Sequence, residues 1–276
     1  RTGRRVVELP HMTTLFETSG PILIGVVHLK ALPGAPGFGG SMQQVLEFAA
    51  SDAAALKAGG CDGVIVENFG DAPFAKSAVG PETIAAMARA GAAVRQSIKI
   101  PLGFNVLRND ARAALALCSA CEGAFIRVNV HSGSMLTDQG LIEGKAHETL
   151  RERQRLCPNV KILADVHVKH ATPLGSESLE DAAGDTLERG LADALIISGT
   201  GTGKAIDPGI ARRLHRALPN AKILIGSGVD AKNVEKLLPF ANGVIVGSSL
   251  KVKGKLDNPV DEKRVKALKR KLATWK

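Results

Sequence analysis

Polar residues able to move protons or hold charge recur at one kind of place in this chain, the downstream ends of short apolar runs. The first run closes on His28, the second on Glu67-Asn68, the third on Asn105, and the fourth on Arg127 and Asn129. The fifth carries Asp165, His167 and Lys169 at alternate positions, and the sixth ends at Ser198, with Thr200 and Lys204 just beyond. His28, Glu67, Asp165 and His167 are candidates for general acid–base work. Lys169 suits electrostatic stabilisation or, if desolvated, Schiff-base chemistry. Strand side chains alternate, so Asp165, His167 and Lys169 should share the side taken by Leu163 and climb toward one pole. Each residue also has a plain structural reading, a hydrogen-bonded histidine or an Asp–Lys ion pair. Together they argue for use, because burying five or more polar groups at one pole costs stability unless they are paired or employed. No metal or cofactor is expected. A metal on His28, Glu67, Asp165 and His167 lacks any recognised ligand spacing.

Small residues follow the last runs. Gly226-Ser227-Gly228 comes after the seventh and Gly247-Ser248-Ser249 after the eighth. Turns without bulky side chains let backbone N–H groups converge on an anion. The turn from Ser198, Gly199 and Thr200 to Lys204 is a third glycine-rich segment, without the GxxxxGK[ST] spacing of a P-loop. Phosphate is the expected anion, against the alternative that these glycines only make tight turns.

Positioning these groups at one end requires a particular architecture. The apolar runs at 22–28, 63–68, 102–106, 124–130, 161–168, 194–198, 222–227 and 243–247 read as strands covered on both faces. Helical patterns separate them at 42–58, 81–96, 111–119, 145–156, 179–189, 208–217 and 233–238, with a last one at 262–274. Pro81 and Pro208 fit first-turn positions, and Asn109 and Asp230 fit N-caps. Eight βα units predict an α/β fold of the (β/α)8 TIM-barrel type rather than a doubly wound sheet. Sites in such barrels form at the C-terminal strand ends, often with phosphate held after strands seven and eight. The long 130–144 connection is an expected lid.

The 276 residues suffice for one such barrel, expected over 21–276, with 1–20 as a leader. Residues 1–11 read as a candidate vector-derived segment ahead of a natural start at Met12. Hydrophobic residues at 45% and charged residues at 23% are an ordinary globular balance. No run of 18 apolar residues suggests a membrane span. The formal charge of +9 resides at the termini. Residues 1–11 are net +2, residues 251–276 net +7, and the body is neutral. Aromatics are 3% and Tyr is absent, so no nucleic-acid partner is expected. Cys61, Cys118, Cys121 and Cys157 are read as reduced thiols in helix-to-strand connections of an intracellular, cytoplasmic protein. The last helix sets Lys263, Arg264, Lys266, Lys269, Arg270 and Lys271 against Val265, Leu268 and Leu272. This is a packed helix with a solvated basic face, or a contact for an anionic membrane surface. A homo-oligomer is expected, without a residue that specifies it.

Long segments resemble the BtpA family, named for a factor in photosystem I biogenesis. They include GVVHLKALPGAP at 25–36, GCDGVIVENFGD at 60–71, FNVLRNDA at 104–111 and FIRVNV at 125–130. TDQGLIEG at 137–144, DVHVKHATPL at 165–174, RGLADALIISGTGTG at 189–203 and residues 225–250 continue the match, which covers nearly all of 21–255. The resemblance implies a phosphate-binding-type barrel in a family whose members mostly lack an assigned reaction. Relatives in non-photosynthetic organisms imply that the photosystem role is one lineage's use of the fold. No catalytic set comes with the resemblance, so the candidate residues rest on the strand-end argument. The expected function is binding of a small phosphorylated metabolite, a sugar phosphate or nucleotide, with isomerase, epimerase or aldolase-type lyase chemistry. The alternatives are a non-catalytic biogenesis or stability factor for a membrane complex, and a sensor that binds without turnover.

Overall fold

The computed structural model describes residues 14–16, 20–199 and 206–275. Eight parallel strands close into a barrel: β1 (Ile22–His28), β2 (Gly63–Glu67), β3 (Leu102–Asn105), β4 (Phe125–Val128), β7 (Lys161–Val166), β9 (Ala194–Ile197), β10 (Ile223–Ile225) and β11 (Gly243–Val246). Helices α1 (Met42–Ala58), α2 (Pro81–Ser97), α3 (Ala111–Cys121), α4 (Ala146–Leu156), α5 (Leu179–Glu188) and α6 (Pro208–Ala217) alternate with them. A final helix, α7 (Glu262–Ala273), packs beside α1. This is the TIM barrel expected from the pattern of apolar runs.

The two faces of each strand feed two cores. Ile22, Ile24, Ile65, Phe125, Leu163, Ile196, Leu224 and Ile245 fill the barrel interior. Residues of the opposite parity, such as Leu23, Val64, Ile126 and Ile162, pack under the helices. On α1, Val45, Ala49, Ala53 and Leu56 recur at helical spacing and are buried, and Ser41 caps the helix by accepting from the Gln44 amide at 3.3 Å. Burying one such Leu or Val is worth about 1.5–3 kcal/mol. Pro81 and Pro208 start α2 and α6.

Three local expectations are corrected. Asp110, not Asn109, caps α3, accepting from the Ala113 amide at 2.9 Å. Asn109 instead bridges to Val130, donating to its carbonyl and accepting from its amide. The helix expected at 233–238 is two 3-10 turns, Val234–Lys236 and Leu238–Phe240. Asp230 does accept from the amides of Lys232 and Asn233, but Pro239 disfavours α geometry at Leu238 and stops propagation. Cys118 and Cys121 lie inside the last turns of α3 rather than after it. Burial raises all four thiols, Cys61 to about 12.

The 130–144 connection folds into a hairpin, β5 (Ser134–Thr137) and β6 (Gly140–Glu143). The segment after β7 adds β8 (Ala171–Pro173), making a three-stranded antiparallel sheet. Met135 and Ile142 bury against Val130 and Val168. The expected lid is therefore an ordered hairpin with its own small core.

The barrel closes where β1 pairs with β11, and a buried ion pair fastens the chain just beyond. Lys251, 0% exposed, donates to Asp52 at 2.7 Å and to the Asn258 carbonyl at 3.1 Å. The other Asp52 oxygen accepts from the Val260 amide. The pair thus fastens the chain after β11 to α1.

Candidate functional site

Interior-facing parity explains how the candidate residues meet. Continued upward from the interior core, it ends at one position per strand: His28, Glu67, Asn105, Arg127, Asp165, Ser198, Gly226 and Gly247. Six are polar side chains and two are glycines. In the parallel ladder His28 is in register with Glu67, and Glu67 with Asn105. Adjacent strands therefore deliver these three side chains at one level.

Arg127 is the hub. Its Nε and Nη2 donate to the two Asp165 carboxylate oxygens at 2.8 and 2.9 Å, and its Nη1 reaches Glu67 Oε1 at 3.3 Å. Asn105 donates to the same Glu67 oxygen at 3.0 Å, and Asn129 to Asp165 at 3.1 Å. All five side chains belong to buried residues. Burial would raise the Glu67 carboxyl, but Arg127, then His28 and Lys169, with the Asn105 hydrogen bond, hold it below the usual carboxylate range. Burial also opposes the Arg127 charge, yet Asp165 and Glu67 outweigh it and raise its pKa. Burial first, then Arg127, pushes the Lys169 ammonium down against the pull of Glu67 and Asp165. His28 falls to about 4, chiefly by burial, so its ring is neutral at pH 7.

Two connected cavities open above this layer. One, of about 350 Å³, is lined by His28, Glu67, Arg127 and Lys169 together with Gly226, Ser227, Gly228, Gly247, Ser248 and Ser249. The two glycine turns are shaped for close approach. A Cβ on Gly247 would land on the His28 ring, and one on Gly226 would strike Ile196 and lie 3.0 Å from Ser198 Oγ. Gly228 adopts φ +66°, a backbone that favours glycine. In the 3-10 turn Ser248–Leu250, internal bonding starts at the Leu250 amide, which donates to Gly247. The Ser248 and Ser249 amides precede that first bond.

The second cavity, of about 550 Å³, shares Glu67, Phe69, Arg127 and Lys169 with the first. Asn105, Leu107, Arg108, Asn129, the hairpin-tip Asp138 and Phe74 complete most of its wall.

Not every expected residue joins. His167 takes φ +48°, which breaks the alternation after β7. It lies in a separate cleft of about 60 Å³ with Ser132, Glu177 and Asp185, so the shared parity holds for Asp165 and fails for His167. Lys169 returns to the mouth. Asp165 is sealed under Arg127 and Asn129 and borders that lesser cleft. Asn68 bonds Asp71 and Leu107, linking the loops after β2 and β3. Ser198 and Gly199 stand outside the lining of both main cavities, and among the described residues the buried Ser198 hydroxyl has no partner. Thr200 and Lys204 lie outside the described residues. Among the described residues, no group of three or more His, Cys, Asp or Glu is placed to hold a metal ion.

Sequence reasoning missed several wall residues, Phe69, Phe74, Arg108 and Arg264 among them. Phe69 and Phe74 follow β2 in a loop that resembles any surface turn. Arg108 donates to the Lys169 carbonyl at 2.7 Å, a contact across 61 residues that no local pattern announces. Arg264, read as part of a basic helix face, donates to the Ser249 carbonyl at 3.1 Å and lines the glycine-walled cavity.

The molecule is therefore a (β/α)8 barrel with a charged layer at its C-terminal mouth and two small-residue turns beside it. Phosphoribosyl anthranilate isomerase from Thermus thermophilus has a similar fold, with a TM-score of 0.56 at 13% identity over 92% of this chain and 100% of that one. The chain belongs to the BtpA family, which matches residues 20–274. It is 50% identical over 252 residues to the photosystem I biogenesis protein BtpA of Synechocystis, covering 91% of this chain and 88% of the relative. An uncharacterized protein of Pyrococcus furiosus is 46% identical over 251 residues, covering 90% and 93%. Among the described residues no helix is long and apolar enough to cross a membrane.

Proposed function

We propose that this chain binds a small phosphorylated metabolite at the barrel mouth and acts on the carbon skeleton beside the phosphate, as an isomerase, epimerase or aldol-type lyase. The phosphate sits between Gly226–Gly228 and Gly247–Ser249. One observation supports this reading: a single cavity is lined both by those two turns and by His28, Glu67, Arg127 and Lys169. Glu67, held ionised, is the candidate base. Lys169, with its ammonium pushed down, is the candidate proton donor or amine nucleophile. Arg127 offers fixed positive charge to a developing oxyanion. His28 is a neutral hydrogen-bonding partner at pH 7, and Asp165 is a positioning residue for Arg127.

Peripheral membrane contact through α7 is not part of this proposal. Lys269 pairs with Asp62, Lys271 with Glu235, Lys266 with Glu262 and Arg264 with Asp261, so this chain's own carboxylates engage four of that helix's six basic residues. Homo-oligomerisation belongs to the proposal, with exposed Leu136 and Leu174 on the hairpin sheet as the surface it would cover.

The test is thermal unfolding with inorganic phosphate and sugar phosphates, run beside Ser248→Asp. A ligand at 100 times its Kd stabilises by about 2.7 kcal/mol. A shift present in the parent and absent in the variant is expected. An equal shift in both removes the phosphate from these turns.

A further inference from the structure

We infer that the ligand is not a bare sugar phosphate but a phosphorylated glycoside carrying a planar ring, and that the second chamber holds the ring. This deepens the phosphate reading and rests on it. The chain has only eight Phe, one Trp and no Tyr. Two of those phenylalanines, Phe69 and Phe74, stand half-buried on the wall of the second chamber, ring centroids 6.1 Å apart and planes at 60°. With Leu107 they form an apolar part of a lining that also holds Glu67, Arg108, Arg127, Asp138 and Lys169. Half-buried aromatic rings in a cavity are a surface on which a flat ring stacks.

Their placement is built rather than incidental. Phe69 meets the His28 ring edge-on at 5.0 Å. The loop carrying Phe74 is fastened where the Arg108 amide donates to the Ala75 carbonyl at 2.9 Å, and where the Val79 amide donates to Asp110.

The polar groups facing this wall suit the edge of a heterocycle. Asn129 donates through Nδ2 to the Asp165 carboxylate, which sets the amide's orientation, and its buried Oδ1 has no partner among the described residues. A ring N–H or amino group would satisfy that acceptor. The Arg108 guanidinium uses one donor on the Lys169 carbonyl, and a guanidinium has five. One acceptor and one donor beside two aromatic rings match the edge and the flat face of a heterocycle. The size agrees. The first chamber, about 350 Å³, suits a sugar phosphate, and the second, about 550 Å³, adds room on the far side of Glu67, Arg127 and Lys169. Those three shared residues would then face the bond between sugar and ring.

The experiment is isothermal titration of the full chain with ribose 5-phosphate, purine and pyrimidine nucleoside 5′-monophosphates, and adenosine. The parent is compared with Phe74→Leu, Phe74→Ala and Ser248→Asp. At least one nucleoside monophosphate should bind ten-fold or more tighter than ribose 5-phosphate. Both Phe74 variants should erase that advantage and leave ribose 5-phosphate unchanged. Ribose 5-phosphate binding as tightly as the nucleotides, and lost in Ser248→Asp, overturns the ring chamber and leaves the phosphate reading standing. Adenosine binding that depends on Phe74 but gains nothing from a phosphate keeps the ring chamber and overturns the phosphate reading. No binding by any probe overturns both.

Discussion

Asp165→Asn offers a direct test of how the charged layer is held. The Asp165 side chain is 0% exposed and accepts three hydrogen bonds, two from Arg127 and one from Asn129. Asparagine keeps one acceptor oxygen. Its amide group then faces a guanidinium N–H, donor against donor, and the carboxylate left to the buried Arg127 is Glu67 at 3.3 Å. Removing one partner of a buried ion pair costs about 3–5 kcal/mol. The surviving oxygen and Glu67 place this variant near the lower figure, about 3 kcal/mol. For a domain of this size that is a fall of roughly 6–12 °C in Tm, at about 2–4 °C per kcal/mol. The control is Glu235→Gln, which breaks an exposed pair with Lys271, side chains 55% and 40% exposed. An exposed pair contributes about 0–1 kcal/mol, so that variant should stay within about 4 °C of the parent. Scanning calorimetry on all three proteins reads the difference. Equal losses in the two variants would refute the claim that Asp165 is what holds the Arg127 charge in place.

Two further outcomes follow from the same geometry. Gly247→Ala puts a methyl group on the His28 ring, so it should lose about 1–3 kcal/mol of stability through overpacking. It should also abolish any phosphate-induced thermal shift, and a variant that keeps the full shift would show that the turn is not part of the cradle. The second outcome concerns acid. His28 has a folded pKa of about 4 against a reference of 6.5, so the unfolded chain binds more protons between those values. Stability should therefore decline as pH falls from about 6.5 to about 4, with His28 contributing on the order of 3 kcal/mol. Burial also lowers His131 and His167, which act in the same direction. His28→Asn should flatten the profile measured by denaturant titration at successive pH values, and an unchanged slope would count against a buried neutral imidazole.

Local signals reached far into this protein. Continuous apolar runs separated by helical periodicity specify eight covered strands, because a strand buried on both faces has no polar parity to show. The placement of His28, Glu67, Asn105, Arg127 and Asp165 at strand ends, and of small residues after the last two strands, was legible because a parallel barrel collects one end of every strand at one mouth. The sequence by itself thus determined the barrel, the end at which these polar residues gather and the glycine turns.

Tertiary structure alone decided which of those residues meet. A left-handed backbone at His167 diverts that ring from the mouth, and no parity argument foresees a single φ. The sealing of Asp165 under Arg127 depends on the stagger between two neighbouring strands, with Arg127 opposite Leu163 rather than opposite Asp165. Phe69, Phe74, Arg108 and Arg264 enter the two cavities from loops and from a helix outside the barrel, through contacts between residues far apart in the chain. Such contacts are set by packing and closure, which carry no periodic signature along the sequence, whereas strands and turns are short-range properties that do.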